Sequence, residues 1–129
     1  MKKIMIEKLL KEAKNAMLNA YAPYSKLKVG AAILTKKGNI YTGCNVENAS
    51  YGLTVCAERN AISNAVLHNE KNFEAIAVIT NSKYLRTPCG ACRQVIYEFS
   101  KDVEIIISNS KGKIKKTNIK ELLPKSFKI

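Results

Sequence analysis

Two short apolar runs separated by a helical segment constrain the fold more than any other feature of this chain. Phe73–Thr80 (FEAIAVIT) and Val103–Ser108 (VEIIIS) are almost continuously apolar, which is typical of strands buried on both faces of a sheet. Between them, Cys89–Phe99 repeats its apolar residues at helical spacing. Strands of this kind need covering layers, so the sequence predicts an α/β layered domain.

The remaining segments predict a mixed sheet of about five strands flanked by helices. Further helices are expected over the first twenty residues, from Val55 to about Asn69, and in a short segment that ends before Pro124. Further strands are expected over Lys28–Thr35, Ile40–Cys44 and Lys113–Thr117. Asn118–Glu121 has the spacing of a capping box for the last helix. At 129 residues, the whole of 1–129 is expected to form one domain.

The chain is strongly basic. Its formal net charge is +12 at pH 7, from 22 lysine and arginine residues against 10 aspartate and glutamate residues. A lysine-rich surface attracts polyanions without specificity. Arginine is scarce, however, and aromatic residues do not alternate with basic ones as they do in many nucleic-acid-binding surfaces. We therefore expect no specific nucleic-acid partner.

Nothing in the sequence indicates a membrane segment. No apolar run approaches the roughly 18 residues of a membrane-spanning helix. Charged residues interrupt the N-terminal segment from Glu7 onward, too early for the apolar region of a signal peptide. We expect a cytoplasmic protein with no membrane partner.

Two cysteine motifs carry most of the functional information. Cys56-Ala57-Glu58 and Pro88–Cys92 (PCGAC) together supply three thiols and one carboxylate. In a cytoplasmic chain, cysteines in such motifs indicate metal binding or catalysis more than disulfides. Three thiolates can hold Zn²⁺ and leave its fourth tetrahedral position open for water. Glu58 can then exchange that water's proton, so the pattern favours a catalytic site.

Both motifs lie at predicted helix starts, where free N–H groups and the helix dipole favour thiolates. Cys89 and Cys92 are three residues apart and share one helix face. Cys56 begins a second helix, and two adjacent helix starts would bring the three sulfurs together. Arg59 and Arg93 follow the motifs and are expected to hydrogen-bond the sulfurs or offset their charge.

A structural zinc site would need a fourth protein ligand. His68, the only histidine, lies about three turns along the helix that Cys56 begins. It is expected to be exposed near the end of that helix and out of reach of the metal. Cys44 belongs to neither motif and is expected to pack as a small buried residue at a strand end.

The motifs resemble those of the small zinc-dependent cytidine deaminases. The resemblance rests on these segments: Cys56–Arg59 (CAER), Pro88–Gln94 (PCGACRQ), Ala22–Ser25 (APYS), Val29–Ala32 (VGAA), Gly43–Tyr51 (GCNVENASY) and Leu122–Pro124 (LLP). It implies a layered cytidine-deaminase-like fold and a hydrolase that acts on a cyclic amidine C–N bond. The implied reaction converts free cytidine and 2′-deoxycytidine to uridine and 2′-deoxyuridine with release of ammonia, as in pyrimidine salvage.

The same resemblance assigns roles to individual residues. One Zn²⁺ per chain would be held by Cys56, Cys89 and Cys92, while Glu58 would carry protons from water to N3 and to the departing ammonia. The other implied roles are ribose binding by Asn45 and Glu47, recognition of the base edge by backbone near Cys56 and Ala57, and intersubunit substrate contacts in a homotetramer by Ala49, Tyr51 and Phe127. Leu27 stands where the family usually has phenylalanine. Because leucine cannot stack on the base as an aromatic ring does, weaker substrate binding and a higher KM are expected.

Three other functions are possible from the sequence. Thr54–Glu58 also resembles blasticidin-S deaminase, although the segment Asn45–Ala49 favours the nucleoside enzyme. A nucleic-acid-editing deaminase fits the high charge, but such enzymes usually have histidine as the first ligand. A non-catalytic zinc protein or nucleic-acid-binding module would have no use for Glu58.

Overall fold

A five-stranded mixed sheet forms the middle layer of the molecule. The computed structural model describes residues 1–129. The elements are α1 (Lys3–Met17), β1 (Val29–Thr35), β2 (Ile40–Cys44), a 3-10 turn (Tyr51–Leu53), α2 (Ala57–Leu67), β3 (Phe73–Thr80), α3 (Gly90–Phe99), β4 (Glu104–Ser108), β5 (Ile114–Asn118) and α4 (Ile119–Leu122). The strand order is β2-β1-β3-β4-β5, and only β3 and β4 are parallel neighbours. The predicted α/β fold with a mixed sheet is confirmed.

The central strands are buried on both faces, as their apolar runs predict. Along β1, Ile33 faces one core while Leu34 faces the other, and along β4, Ile105 and Ile106 alternate in the same way. The first core lies between the sheet and α2, α3 and α4, and the second lies between the sheet and α1. The molecule therefore has three layers, with helices on both sides of the sheet.

Helix α1 covers the side of the sheet that carries small residues. Ile6, Leu9, Ala13 and Met17 form its buried side. The helix ends at Met17, so the prediction of a helix through residue 20 was too long. The amides of Asn19 and Ala20 bond three residues back, at 3.0 and 3.1 Å, and this tighter turn ends the helix.

Helix α2 packs unusually close to the edge strand β2. A Cβ atom built on Gly43 would lie 2.4 Å from the backbone nitrogen of Ala61 and 2.7 Å from the carbonyl oxygen of Ala57. The side-chain amide of Asn60 donates to the carbonyl of Cys44 at 2.8 Å. Cys44 lies at the end of β2, as expected, but it is half-buried and thus more exposed than expected. These contacts fix the first turn of α2 against the sheet.

The predicted bounds of α2 were too wide at both ends. Val55 pairs with Val46 in an isolated β-bridge, which leaves Cys56 as the N-cap residue. The helix ends at Leu67, and Asn69 has a positive φ of 60°. His68 follows the helix and is exposed, as expected.

The last helix shows half of the predicted capping box. The side chain of Asn118 accepts a hydrogen bond from the amide of Glu121 at 2.9 Å. The carboxylate of Glu121 instead accepts the hydroxyl of Thr117 at 2.8 Å, so the reciprocal bond is replaced. None of the helices combines the length and apolar character that a membrane crossing requires.

Candidate active site

The structure brings the three motif cysteines together. Cys56 is the N-cap residue of α2, Cys89 is the N-cap residue of α3, and Cys92 lies in the first turn of α3. Neither N-cap residue makes the usual side-chain hydrogen bond to its helix. The three sulfur atoms all lie within 4.8 Å of one another, and the Cys56 and Cys89 sulfurs are 3.9 Å apart. The prediction that both motifs begin helices is confirmed.

These sulfurs fit one zinc ion. With Zn–S bonds of about 2.3 Å, two sulfurs of a tetrahedral site lie about 3.8 Å apart, which agrees with the 3.9 Å separation of Cys56 and Cys89. No further histidine, cysteine, aspartate or glutamate belongs to the group. The donor set is therefore three soft thiols with no fourth protein ligand, which is typical of a catalytic zinc site.

The local electrostatics favour thiolate at this cluster. The pKa of Cys56 is lowered to about 5, chiefly by the neighbouring Cys92 thiol, with smaller effects of Arg59 and Cys89. The neighbouring Cys56 sulfur and burial together hold the pKa of Cys92 above its ordinary value. The first proton therefore leaves readily, and a metal ion would displace the others.

Glu58 is a buried carboxyl group beside the thiols. It is the second residue of α2, its exposed fraction is 5%, and it lines the same cleft as Cys56 and Cys89. Burial, with a smaller contribution from the nearby Cys56 thiolate, raises its pKa to about 7. A carboxyl group in this environment can both accept and donate a proton near neutral pH.

The two arginines have different surroundings. The guanidinium of Arg59 donates to the carbonyl of Thr54 at 3.2 Å and lies 3.7 Å from the Cys56 sulfur. Arg93 donates instead to three oxygens, namely Pro88 O at 2.7 Å, Leu122 O at 2.9 Å and Thr87 Oγ1 at 2.8 Å. Arg59 contacts a thiol as expected. Arg93 makes no hydrogen bond to sulfur and holds the loop that carries Cys89.

The thiols and Glu58 open into a cleft of about 210 Å³. The cleft is bounded by the ends of β1 and β3, the loop after β2, the first turn of α2 and the loop before α3. The expected substrate-binding residues all line it: Leu27, Asn45, Glu47 and Ala57. No aromatic side chain is among its lining residues.

Backbone contacts hold Asn45 and Glu47 at the cleft wall. The Asn45 side chain accepts from Val29 N and donates to Leu27 O, both at 2.8 Å. Glu47 accepts from the amides of Tyr24 and Ser25 and from the Ser25 hydroxyl. That hydroxyl, with the two amides, lowers the Glu47 pKa. Glu47 is thus an oriented, ionised hydrogen-bond acceptor at neutral pH.

The three residues expected at a subunit interface lie outside the cleft of their own chain. Ala49 is exposed in the loop after β2. Tyr51 is 75% exposed, and Phe127 is 72% exposed on the C-terminal tail. Tyr51 stacks edge-to-face with Tyr24 at 5.9 Å, beside a second hollow that shares Ser25, Glu47 and Thr54 with the cleft.

The sequence analysis missed part of the cleft wall. Arg86 and Thr87 line it from the loop before Cys89, and Val78 and Thr80 line it from the end of β3. Two signals point to them. Residues directly before a ligand motif lie beside the ligands, and ligands of α/β proteins bind at the carboxyl ends of parallel strands.

Comparison with known proteins agrees with this geometry. The sequence profile of the cytidine and deoxycytidylate deaminase zinc-binding region matches residues 3–108, which is well over half of the chain. The chain belongs to this deaminase family. A cytidine deaminase of Sporosarcina psychrophila is 47% identical over 123 residues, covering 95% of this chain and 90% of that protein.

Solved structures support the same assignment. The crystal structure of cytidine deaminase from Burkholderia pseudomallei has a TM-score of 0.91 and 45% identity, covering 98% of this chain and 100% of that chain.

A blasticidin-S deaminase of Bacillus cereus is 36% identical over 111 residues, covering 80% of this chain and 79% of that protein. The chain is an enzyme of the deaminase family, and its thiol cluster fits the family's zinc site.

Proposed function

We propose that this enzyme hydrolyses free cytidine and 2′-deoxycytidine to uridine and 2′-deoxyuridine, releases ammonia, and serves pyrimidine salvage in the cytoplasm. Cys56, Cys89 and Cys92 would hold one zinc ion per chain. One observation carries this proposal. Glu58 is 5% exposed and lines the cleft beside the three thiols, yet is not one of the ligand group.

Zinc bound by the three thiolates would supply Lewis acidity and would lower the pKa of a water molecule. Glu58 takes a proton from the water that attacks C4 of the base and delivers it to N3. It then takes the proton of the hydroxyl group now on C4 and passes it to the exocyclic nitrogen; the C4–N bond breaks, ammonia leaves and the C4 carbonyl forms. Because Glu58 is shielded from bulk solvent, its protons go to the substrate.

The cleft wall supports recognition of a nucleoside. Glu47 is held with its carboxylate toward the cleft and can accept hydrogen bonds from ribose hydroxyls. Asn45 uses one N–H on Leu27 O, and its second N–H is available for a sugar oxygen. Leu27 and Ala57 provide apolar contact for the pyrimidine, and backbone near Cys56 reads its edge.

We also propose a homotetramer in which Ala49, Tyr51 and Phe127 complete the cleft of a neighbouring chain. The support is their exposure. Exposed large apolar side chains can mark interaction surfaces; Tyr51, beside the cleft, is 75% exposed and Phe127, on the tail, is 72% exposed. Sedimentation equilibrium checks this, with an expected mass four times the 14.3 kDa of one chain.

The central experiment replaces Glu58 with alanine. Glu58→Ala is expected to keep stoichiometric zinc and the fold while turnover falls by about 10³-fold or more, since it removes the proton carrier. The assay follows the loss of cytidine absorbance, with metal analysis of the same sample. A rate reduced less than tenfold would contradict the assigned mechanism.

The similarity to blasticidin-S deaminase from Bacillus cereus makes blasticidin S the second candidate substrate. A substrate panel containing cytidine, 2′-deoxycytidine, blasticidin S and a cytosine-containing oligonucleotide separates the candidates. We expect turnover of the two nucleosides to exceed that of the others. Turnover of blasticidin S without turnover of cytidine would overturn the proposed substrate, as would a preference for the oligonucleotide.

A further inference from the structure

The C-terminal tail lies against helix α3, where Lys128 Nζ is 6.0 Å from the centre of the Tyr97 ring and the side chain of Gln94 binds the backbone of Phe127. Gln94, on α3, donates from Nε2 to the carbonyl of Phe127 and accepts the amide of Phe127 at Oε1, both at 3.1 Å. The backbone of residues 124–129 makes no other hydrogen bond. The two bonds match those that an adjacent β-strand would make to Phe127, so Gln94 holds the backbone of this residue against α3.

This attachment determines where the Phe127 ring can point. The ring is 72% exposed and does not line the cleft of its own chain. Because its backbone is held against α3, the exposed side chain is carried on a fixed point outside the cleft of its own chain. The cleft meanwhile has no aromatic lining residue, although a planar pyrimidine is well accommodated by a ring.

We infer that Gln94 is a positioning residue for substrate binding, which acts by holding Phe127 in place for the cleft of a second copy of this chain. The inference rests on the proposed function. Without the two hydrogen bonds, the tail must be ordered each time substrate binds, and that entropic cost weakens binding. The chemical step depends on Glu58 and the thiols, so it is not affected.

The test uses Gln94→Met, which keeps side-chain length but removes both hydrogen bonds. We expect KM for cytidine to rise about tenfold while kcat changes less than about twofold. Gln94→Glu keeps the acceptor for the Phe127 amide and is expected to recover part of this loss. Glu98→Met, an exposed position one turn along α3, is the matched control and should behave as wild type.

A double-variant comparison separates this role from an effect on the nearby ligand Cys92. In a Phe127→Ala background, Gln94→Met is expected to cause no further rise in KM, because its effect passes through Phe127. If the full rise persisted in that background, or if Gln94→Met lost zinc, the inference would be wrong. Hydrogen exchange gives a readout besides activity, since the Phe127 amide should lose protection in Gln94→Met.

Mixed oligomers test whether the ring serves a second copy. Chains carrying Glu58→Gln have an intact tail, and chains carrying Gln94→Met have an intact catalytic carboxyl. Co-expressed oligomers are expected to show a class of sites with nearly wild-type KM. If only the high KM of Gln94→Met appeared, each tail would serve its own chain, and the inference would be overturned.

Failure of the inference and failure of the proposed function give different results. A wild-type protein that does not turn over cytidine would overturn the proposed function and with it the role of Phe127 in substrate binding. Normal wild-type turnover, with an unchanged KM in Gln94→Met, would overturn the role of Gln94 alone.

Discussion

The close contact between Gly43 and helix α2 gives the sharpest test of how the fold positions the site. In Gly43→Ala, the new Cβ would lie 2.4 Å from Ala61 N, whereas ordinary contact begins at 3.4 Å, so α2 must withdraw by about 1 Å. Backbone atoms cannot rotate away, and overpacking of this kind costs about 2–3 kcal/mol. For a chain of this length, that cost corresponds to a decrease in Tm of roughly 8–12 °C.

The same displacement moves the first turn of α2, which carries Cys56 and Glu58. A shift of about 1 Å in catalytic groups lowers activity by about 10²-fold. We expect kcat/KM for cytidine to fall by about that factor in the protein that remains folded. Differential scanning calorimetry, metal analysis and the absorbance assay measure the three effects.

Gly52→Ala is the control for this prediction. Gly52 lies in the 3-10 turn Tyr51–Leu53, and a Cβ built there has no heavy atom within 4 Å. Its Tm and turnover should match those of the wild type. If Gly43→Ala had the same Tm and turnover as Gly52→Ala, the close approach of β2 and α2 would not determine the position of the turn that carries Glu58, and the reasoning would be refuted.

Three further predictions concern the metal, the substrate wall and acid stability. Cys89→Ala should lose zinc by metal analysis, whereas Cys44→Ala, outside the thiol group, should retain it; equal zinc in both would contradict the ligand assignment. Leu27→Phe should lower KM for cytidine by about two- to tenfold through ring stacking, and an unchanged or higher KM would argue against base contact at this position. Hydroxyl groups of Thr35 and Tyr41 hold the pKa of Glu70 below its ordinary value of 4.5 in the folded protein. The ionised Glu70 side chain therefore stabilises the fold above pH 4.5, and this stabilisation is lost as the pH falls through the lowered pKa. The difference in Tm between wild type and Glu70→Gln should therefore shrink below pH 4.5, and a constant difference would be inconsistent with that shift.

The strands and the ligand helices were predictable because their signals are local. The run Phe73–Thr80 is apolar at every position but two, and its burial on both faces follows from that pattern. The spacing of Cys89 and Cys92 places both in one helical turn. The proximity of these sulfurs to Cys56 was predicted from the chemistry of a three-thiol metal site. Two cysteines alone would not account for the carboxyl group of Glu58 beside Cys56.

The missed features depend on contacts between distant parts of the chain. The pairing of β1 with β3 sets the strand order, but no local pattern specifies which strand lies next to which. The interpretation of Arg93 was incomplete because one of its partners, Leu122 O, lies 29 residues away in sequence. Such partners are determined by the folded arrangement of helices, and adjacent residues give no sign of them.

The two cysteines that begin α2 and α3 have a consequence for engineering heat resistance. A serine or aspartate at an N-cap typically strengthens a helix by about 1 kcal/mol, and both helices forgo that gain because a thiol occupies the position. Thermostabilisation by optimising helix starts would single out these two sites first. Either substitution would stabilise its helix but remove a proposed zinc ligand, so at these two positions higher stability would come at the expense of the proposed activity.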